Sequence, residues 1–333
     1  MTKETVLVTG ACGFVGSHMV EHLLGKGYAV VASDHPRASL NGLKGRAPFV
    51  PIDLTKPETL EPLNQYSFQR VFHIAGLFDY TAPWQRLYEV NCLGTRNLLQ
   101  ALANNKSALK SVVVWSSGSV YGKSFRREPI NENEPPQPIN DYERSKLLGE
   151  QEALKFHQEQ GLPVVVIRPA AIYGPRSRYG LAVPIFMIKK WLLRFIPGKG
   201  DFIGGYAHVD DIVGGAEFLS GRPEAVGQVF NISDDSNMSV GDSIMLTAKI
   251  MGAYMLPIHF PITPIKITAF IDQTVSRWLG RRPTLERDLI GYLDRDSWMD
   301  NTKLKGLGYQ LKYPSLTKGL PEVIGWYKQQ GWL

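Results

Sequence analysis

The chain has 333 residues, 44% hydrophobic and 20% charged, which suits one large globular domain, alone or with a smaller lobe, and excludes a disordered or fibrous chain. Two cysteines, Cys12 and Cys92, are too few for a disulfide framework or a cysteine-built zinc site; no metal is expected, and a reducing compartment, the cytoplasm, is. The net charge of +6 comes from lysines and arginines spread along the chain, in pairs at most (Arg126–Arg127, Lys189–Lys190, Arg281–Arg282), which argues against a nucleic-acid partner and for a mild pull toward anionic cofactors or peripheral contact with a membrane surface.

MTKETVLVTG runs straight into a strand, so no leader peptide is expected. Val6, Leu7 and Val8 form a short apolar run that reads as a buried strand. Gly10, Gly13 and Gly16 follow as G-x-x-G-x-x-G, with Phe14 and Val15 inside the motif and a helix from Ser17. Glycine here permits a tight turn, backbone approach to a pyrophosphate and close packing of helix on strand. The helix N-terminus then offers N–H groups to phosphate. YAVVASD, 28–34, is the second strand, and Asp34 at its end suits an adenine-ribose diol, favouring NAD over NADP. Arg37, three residues on, offers a competing contact to a 2′-phosphate.

Further strands are expected at 49–54, 70–76 and 111–122, with helices at about 57–65, 83–103 and 142–160 and another strand in LPVVVIRPAAIYGP. These strands are continuously apolar, as in a parallel doubly wound α/β sheet covered by helices on both faces. Beyond Gly174 the rhythm loosens. Phe186, Ile188, Trp191, Leu192 and Phe195 are spaced as one apolar helical face, read either as lobe core or as a lid over an apolar ligand. A short helix is expected at 208–219 and a strand at 228–233. Residues 254–271 are nearly apolar, but three prolines interrupt any membrane-spanning helix there.

Tyr142 and Lys146 stand four apart at a helix start, on one face. A lysine ammonium beside a phenol favours phenolate, so the tyrosine can pass a proton to or from a substrate oxygen. Ser116 and Ser117 close the preceding apolar strand, where a hydroxyl can bond the same oxygen.

TGACGFVGSH, Asp53-Leu54, HIAG, NCLGTRNLL, SSGSVYG, YERSK and RPAAIYGPR occur in an order that resembles the extended short-chain dehydrogenase/reductase family, over roughly 5–233. The resemblance implies a Rossmann domain over 1–175, with 205–235 returning to it, and a smaller C-terminal substrate-binding lobe over most of 176–333. It implies that Tyr142 is the acid/base, that Lys146 tunes it and holds the nicotinamide ribose, that Ser117 orients substrate, and that Asn91 supports the active-site helix. The implied cofactor contacts are Gly10, Gly13, Phe14, Val15, Gly16, Asp34, Arg37, Asp53, Leu54, Ala75, Gly76, Tyr142, Lys146, Pro169 and Ile172. The expected substrate contacts are Phe78, Ser119, Tyr179 and Phe186.

RPAAIYGP lacks the asparagine, and DFIGGYAHVDD the arginine, with which sugar-nucleotide members of this family hold a diphosphate, although Arg176 and Arg178 remain within reach of a phosphate. The proline-rich stretch, RRPTLERDLI and DNTKLKGLGYQLKYPSLTKGL look more like the hydroxysteroid dehydrogenase and dihydroflavonol reductase branch. The expected activity is NAD(P)-dependent interconversion of an alcohol and a ketone on a mostly apolar substrate (sterol-like, flavonoid-like or acyl), with a nucleotide-sugar epimerase or dehydratase as the alternative. A non-catalytic dinucleotide-sensing module would tend to lose Tyr142 or Lys146. The resemblance also implies a homodimer through the helices at 83–103 and 142–160.

Overall fold

A computed structural model describes residues 3–40, 42–43, 45–122, 127–279, 281, 283 and 286–333. Arg126, Arg282 and part of RRPTLERDLI lie outside the described residues. In chain order, Thr5–Thr9 (β1) leads into Phe14–Gly25 (α1), Ala29–Asp34 (β2), Phe49–Pro51 (β3) and Arg70–His73 (β4). Trp84–Tyr88 (α2) and Gly94–Ala103 (α3) are joined by a single π-helical turn, Glu89–Leu93. Ser111–Trp115 (β5), Asp141–Gln160 (α4), Val164–Pro169 (β6) and Ala171–Tyr173 (β7) follow. Then come Ala182–Lys189 (α5), Ile196–Pro197 (β8), Tyr206–His208 (β9), Val209–Ser220 (α6) and Val229–Ile232 (β10). Val240–Met251 (α7), His259–Phe260 (β11), Ile262–Trp278 (α8), Arg287–Gly291 (α9), Thr302–Gly306 (α10) and Leu316–Gln329 (α11) complete the chain.

The strands form a seven-stranded parallel sheet in the order β3-β2-β1-β4-β5-β6-β10. The apolar runs of β1, β5 and β6 are buried on both faces, the condition under which a strand has no polar side. Met19, Val20 and Leu23 of α1 and Ile212, Val213 and Ala216 of α6 cover one face. Leu98 and Leu99 of α3 and Ala153 and Phe156 of α4 cover the other. Buried Arg168 of β6 makes a two-point ion pair with Glu150 of α4 (3.0 and 2.5 Å) and donates to the Tyr121 hydroxyl at 2.8 Å, which pins α4 to the sheet.

The sequence overextends several elements. The strand at 49–54 ends at Pro51, that at 70–76 ends at His73, and that at 111–122 ends at Trp115, after which Gly118–Tyr121 forms a 3₁₀ turn. The helix expected near 57–65 is 3₁₀. Small and polar residues at the strand ends turn away to line the cleft. The five-residue apolar face at 186–195 does not exist, because α5 stops at Lys189 and Trp191 adopts φ +62°. A helix does form in the proline-rich stretch: Pro261 is its N-cap and Pro264 sits in the first turn, where a missing N–H costs no bond. Among the described residues no helix is long and apolar enough to cross a membrane.

α5 and α11 share one lobe core (Ala182, Ile185, Leu320, Ile324, Tyr327), while Ile188 and Leu193 pack on α7. Where β10 meets this lobe, the Asp234 carboxyl is buried. One oxygen accepts from Ser236 N and Oγ at 3.2 and 2.8 Å, and burial, then the charges of Asp235 and Asp211, push its pKa up to about 7. Asp234 is therefore protonated in the fold at pH values where the unfolded chain, with a pKa of about 4, has already ionised it. Its stabilisation is full below about pH 4 and is lost as pH rises through about 7. Asp234→Asn should thus gain stability over wild type, on the order of 1–3 kcal/mol between pH 5 and pH 8, read as the change in the difference of unfolding free energies. An unchanging difference across that range would place the Asp234 pKa elsewhere.

Candidate active site

The sheet order reverses between β1 and β4, and there a cleft of about 1070 Å³ opens at the strands' carboxyl ends. Gly10 takes φ +68°, and a Cβ there would come within 2.7 Å of Ala75 N; a Cβ on Gly16 would lie 1.9 Å from Gly10 O. No side chain fits either position. Gly13 is the N-cap of α1 and supplies no capping side chain, so the first N–H groups of the helix are left for a ligand at the wall formed by Gly10, Gly13, Phe14, Val15 and Gly16. On the far side of this wall the Asp34 carboxylate accepts from Cys12 N (2.8 Å) and His35 N (2.7 Å). Asp53 and Leu54 continue the wall. Burial and the neighbouring Asp34 push the Cys12 thiol up to about 11, so Cys12 is a packing residue. This set of unclaimed helix N–H groups, side-chain-free glycines and an acid at the end of β2 fits a dinucleotide.

The candidate catalytic corner is set by the start of α4. Asn140 caps it by accepting from Glu143 N at 2.9 Å, and the Glu143 carboxylate reaches back to Ile139 N at 2.9 Å. That fixes Tyr142 and Lys146 in the first turns, with both side chains on the cleft wall. The Tyr142 ring is buried edge-on between Phe78 and Tyr80, at 5.0 and 5.2 Å between centroids. Lys146 Nζ donates to Trp115 O at 2.6 Å, and burial lowers its pKa to about 8 against the opposing pull of Glu150. Ser117 caps the start of the 3₁₀ turn Gly118–Tyr121 that follows β5. Its Oγ accepts from Ser119 N at 3.2 Å and lies 2.8 Å from Ser119 Oγ. Ser116 also reaches the wall, and its buried Oγ has no hydrogen-bond partner among the described residues.

Asn91 is buried behind the wall and does not line the cleft. Its Oδ1 accepts from Leu77 N at 2.7 Å, and its Nδ2 donates to Leu77 O (3.0 Å) and Ser145 Oγ (2.9 Å). Beneath it His73 joins Thr9 Oγ1 (2.8 Å) and Thr95 Oγ1 (3.0 Å), and burial, helped by Lys146, holds the ring neutral with a pKa near 3.

Ala75, Gly76, Pro169 and Ile172 line the cleft, as do Phe78, Ser119 and Tyr179. Four readings from sequence are corrected by position. Arg37 is exposed and off the wall. Phe186 stacks on Tyr327 at 5.5 Å inside the lobe core. Arg176 pairs through both terminal nitrogens with Glu21 of α1 (3.1 and 2.7 Å), and Arg178 lies over the Trp332 ring at 4.5 Å. Neither arginine is on the wall, because partners about 155 residues away in sequence take up their charge. Tyr80, Arg86 and Tyr206 do line it and were not singled out. The aromatic run in LFDYTAPW was the available signal for Tyr80.

With Asp34 on the wall and Arg37 off it, a 2′-phosphate would meet a like charge without a cation. Titration of the apoprotein should therefore give NADH at least about tenfold tighter than NADPH, and Asp34→Ser should narrow the gap.

The NAD dependent epimerase/dehydratase family matches residues 6–233. The chain is 31% identical to the sterol-4-alpha-carboxylate 3-dehydrogenase, decarboxylating, of Bos taurus, over 68% of this chain and 64% of that protein, so the match spans under two thirds of the bovine protein. It is 26% identical to a UDP-glucuronate 4-epimerase of Thermodesulfobacterium geofontis over 97% of this chain and 96% of that one. The fold superposes on the Thermotoga maritima UDP-glucose 4-epimerase solved with UDP-glucose, with a TM-score of 0.80, 26% identity and coverage of 98% and 99%. With its glycine loop, its Ser117, Tyr142 and Lys146 corner and this match over most of its length, the chain belongs to the NAD dependent epimerase/dehydratase family, the extended short-chain dehydrogenase/reductases, a family of NAD-dependent enzymes.

Proposed function

We propose that this protein is an oxidoreductase that interconverts an alcohol and a ketone on a mostly apolar substrate. The observation that carries this reading is the wall beyond Tyr142. It is built from Val183, Pro184, Met187, Leu193, Phe195 and Ile244, while Arg176 and Arg178 are held elsewhere by Glu21 and Trp332. Burying a diphosphate in such a wall would strip its hydration without supplying matching donors. An apolar ring or acyl chain gains from the same surface.

Bound NAD supplies the hydride acceptor or donor. The chain's own residues handle the oxygen. In the reductive direction Tyr142 gives its hydroxyl proton to the carbonyl oxygen as that oxygen gains charge, and in the oxidative direction it takes the proton back. The Lys146 ammonium stabilises the phenolate left behind. The Ser117 hydroxyl donates to the same oxygen and fixes its direction. Edge-on Phe78 and Tyr80 shield the Tyr142 ring, which lines the cleft.

A second reading, a nucleotide-sugar epimerase or dehydratase, is supported by the near-full-length match to the UDP-glucuronate and UDP-glucose epimerases and by Arg86, a cation on the cleft wall. Calorimetry on the NAD-loaded protein separates the two. Binding of sterol-like, flavonoid or β-keto acyl ketones, with no UDP or dTDP binding at micromolar concentration, is the expected result, and the opposite pattern selects the epimerase reading. Tyr142→Phe should fold and hold NAD yet lose turnover by a factor of about 10² or more on the substrate so identified. Near-full activity of that variant would remove Tyr142 from the proton step.

A further inference from the structure

α8 is built inside out. Its inward face carries Ala269 and Ser276, both buried, with half-buried Ile265 and Asp272. The large apolar residues Ile267, Phe270, Ile271, Val275 and Trp278 recur at i, i+3, i+4, i+8 and i+11 on the outward face, all exposed, Trp278 at 90%. A helix packed for water alone has the reverse arrangement. Trp191, Leu192, Tyr254, Leu256, Ile258 and Phe260 are exposed as well, on segments joined to α8 through the β8–β11 pair and the Phe195–Phe260 ring contact at 4.7 Å. Trp191 takes φ +62°, unusual for a bulky side chain, and its ring lies outside at 73% exposure. The patch adjoins the cleft, since exposed Leu192 lines both, and Ile265 and Thr268 of α8 line the cleft beside it.

The charge around the patch is one-sided. Residues 181–200 contain Lys189, Lys190, Arg194 and Lys199 and no acid; residues 254–281 contain Lys266, Arg277 and Arg281, of which Lys266 pairs with Asp294 and Arg281 with Asp272. Lys189, Lys190, Lys199 and Arg277 have no ion-pair partner among the described residues.

We propose that the outward face of α8 with the 191–192 and 254–260 segments is a docking surface for an anionic lipid bilayer, entered to interfacial depth. An exposed apolar stripe rimmed by unpaired cations has the amphipathic character of an in-plane helix, and α8 does not cross the membrane. A second copy on the same face would set these cations against themselves across a two-fold axis, which disfavours it. The surface stands apart from the substrate reading. What rests on that reading is the consequence that an apolar substrate passes from the bilayer into the cleft beside Leu192 and Ile265.

Co-sedimentation of the full chain with phosphatidylcholine vesicles, with and without phosphatidylserine, tests the surface without any substrate. The bound fraction is expected to rise with phosphatidylserine and fall with salt. It should fall roughly tenfold or more in the triple variant Phe270→Ser, Ile271→Ser, Trp278→Ser, and less steeply in Lys189→Glu, Lys190→Glu. NAD affinity and circular dichroism of both variants check the fold, and the lysine pair carries the test if the triple variant misfolds. Wild-type protein that stays in the supernatant with both vesicles overturns the proposal. So does light scattering that shows a dimer which the triple variant converts to monomer while neither form binds vesicles.

Discussion

Asn91 holds together three elements that share no sequence neighbourhood. Through Leu77 it fixes the loop after β4, which walls the cofactor side of the cleft. Through Ser145 it fixes the first turns of α4, which carry Tyr142 and Lys146. It does so from a π-helical turn, where one extra residue rotates its amide inward without ending the helix. Gly149 lets α4 ride on that turn, since a Cβ there would lie 2.3 Å from Asn91 O. The distance between the glycine-loop wall and the Tyr142 phenol is thus set by one buried amide with all its polar atoms satisfied.

Much of this was legible because it depends on short-range spacing. Glycines at 10, 13 and 16 have a backbone reason, the Tyr142–Lys146 interval is a helical repeat, and continuous apolar runs mark buried parallel strands. What stayed hidden depends on partners far away in the chain. Nothing near Arg176 announces that Glu21 will take its charge, nor near Arg178 that Trp332 will. Phe186 has the spacing of a lid residue and becomes lobe core because Tyr327 and Trp332 arrive from the C-terminus. The prolines of 254–271 argue against a membrane-spanning helix, but whether a shorter helix forms depends on Pro261 and Pro264 falling at its start, where a helix tolerates them.

The charge excess also has a location that composition alone cannot reveal. Around the cofactor wall cations are sparse, and burial lowers the Lys146 pKa to about 8, which leaves it an ammonium at neutral pH. The unpaired cations instead gather beside the apolar face of α8. The candidate catalytic residues at the sheet edge and the exposed apolar face at the lobe surface are therefore separate sets, joined by the cleft.

The family match ends at residue 233, but the fold does not divide there. Met299, Leu304 and Tyr309 pack into the same core as α1 and α6, and Asn301 donates to Ser233 O at 2.7 Å. The buried carboxylate of Asp211, on α6, accepts from Lys312 N and Tyr313 N at 2.6 and 2.8 Å. A chain cut at the boundary of sequence similarity would lose both donors together with Tyr309 and Tyr313, which cover this acid. The last hundred residues are therefore not a cassette that can be exchanged for another specificity lobe. A chimera has to carry its own backbone donors for the α6 acid, whereas changes within segments such as 181–200 and 254–281 leave those donors untouched.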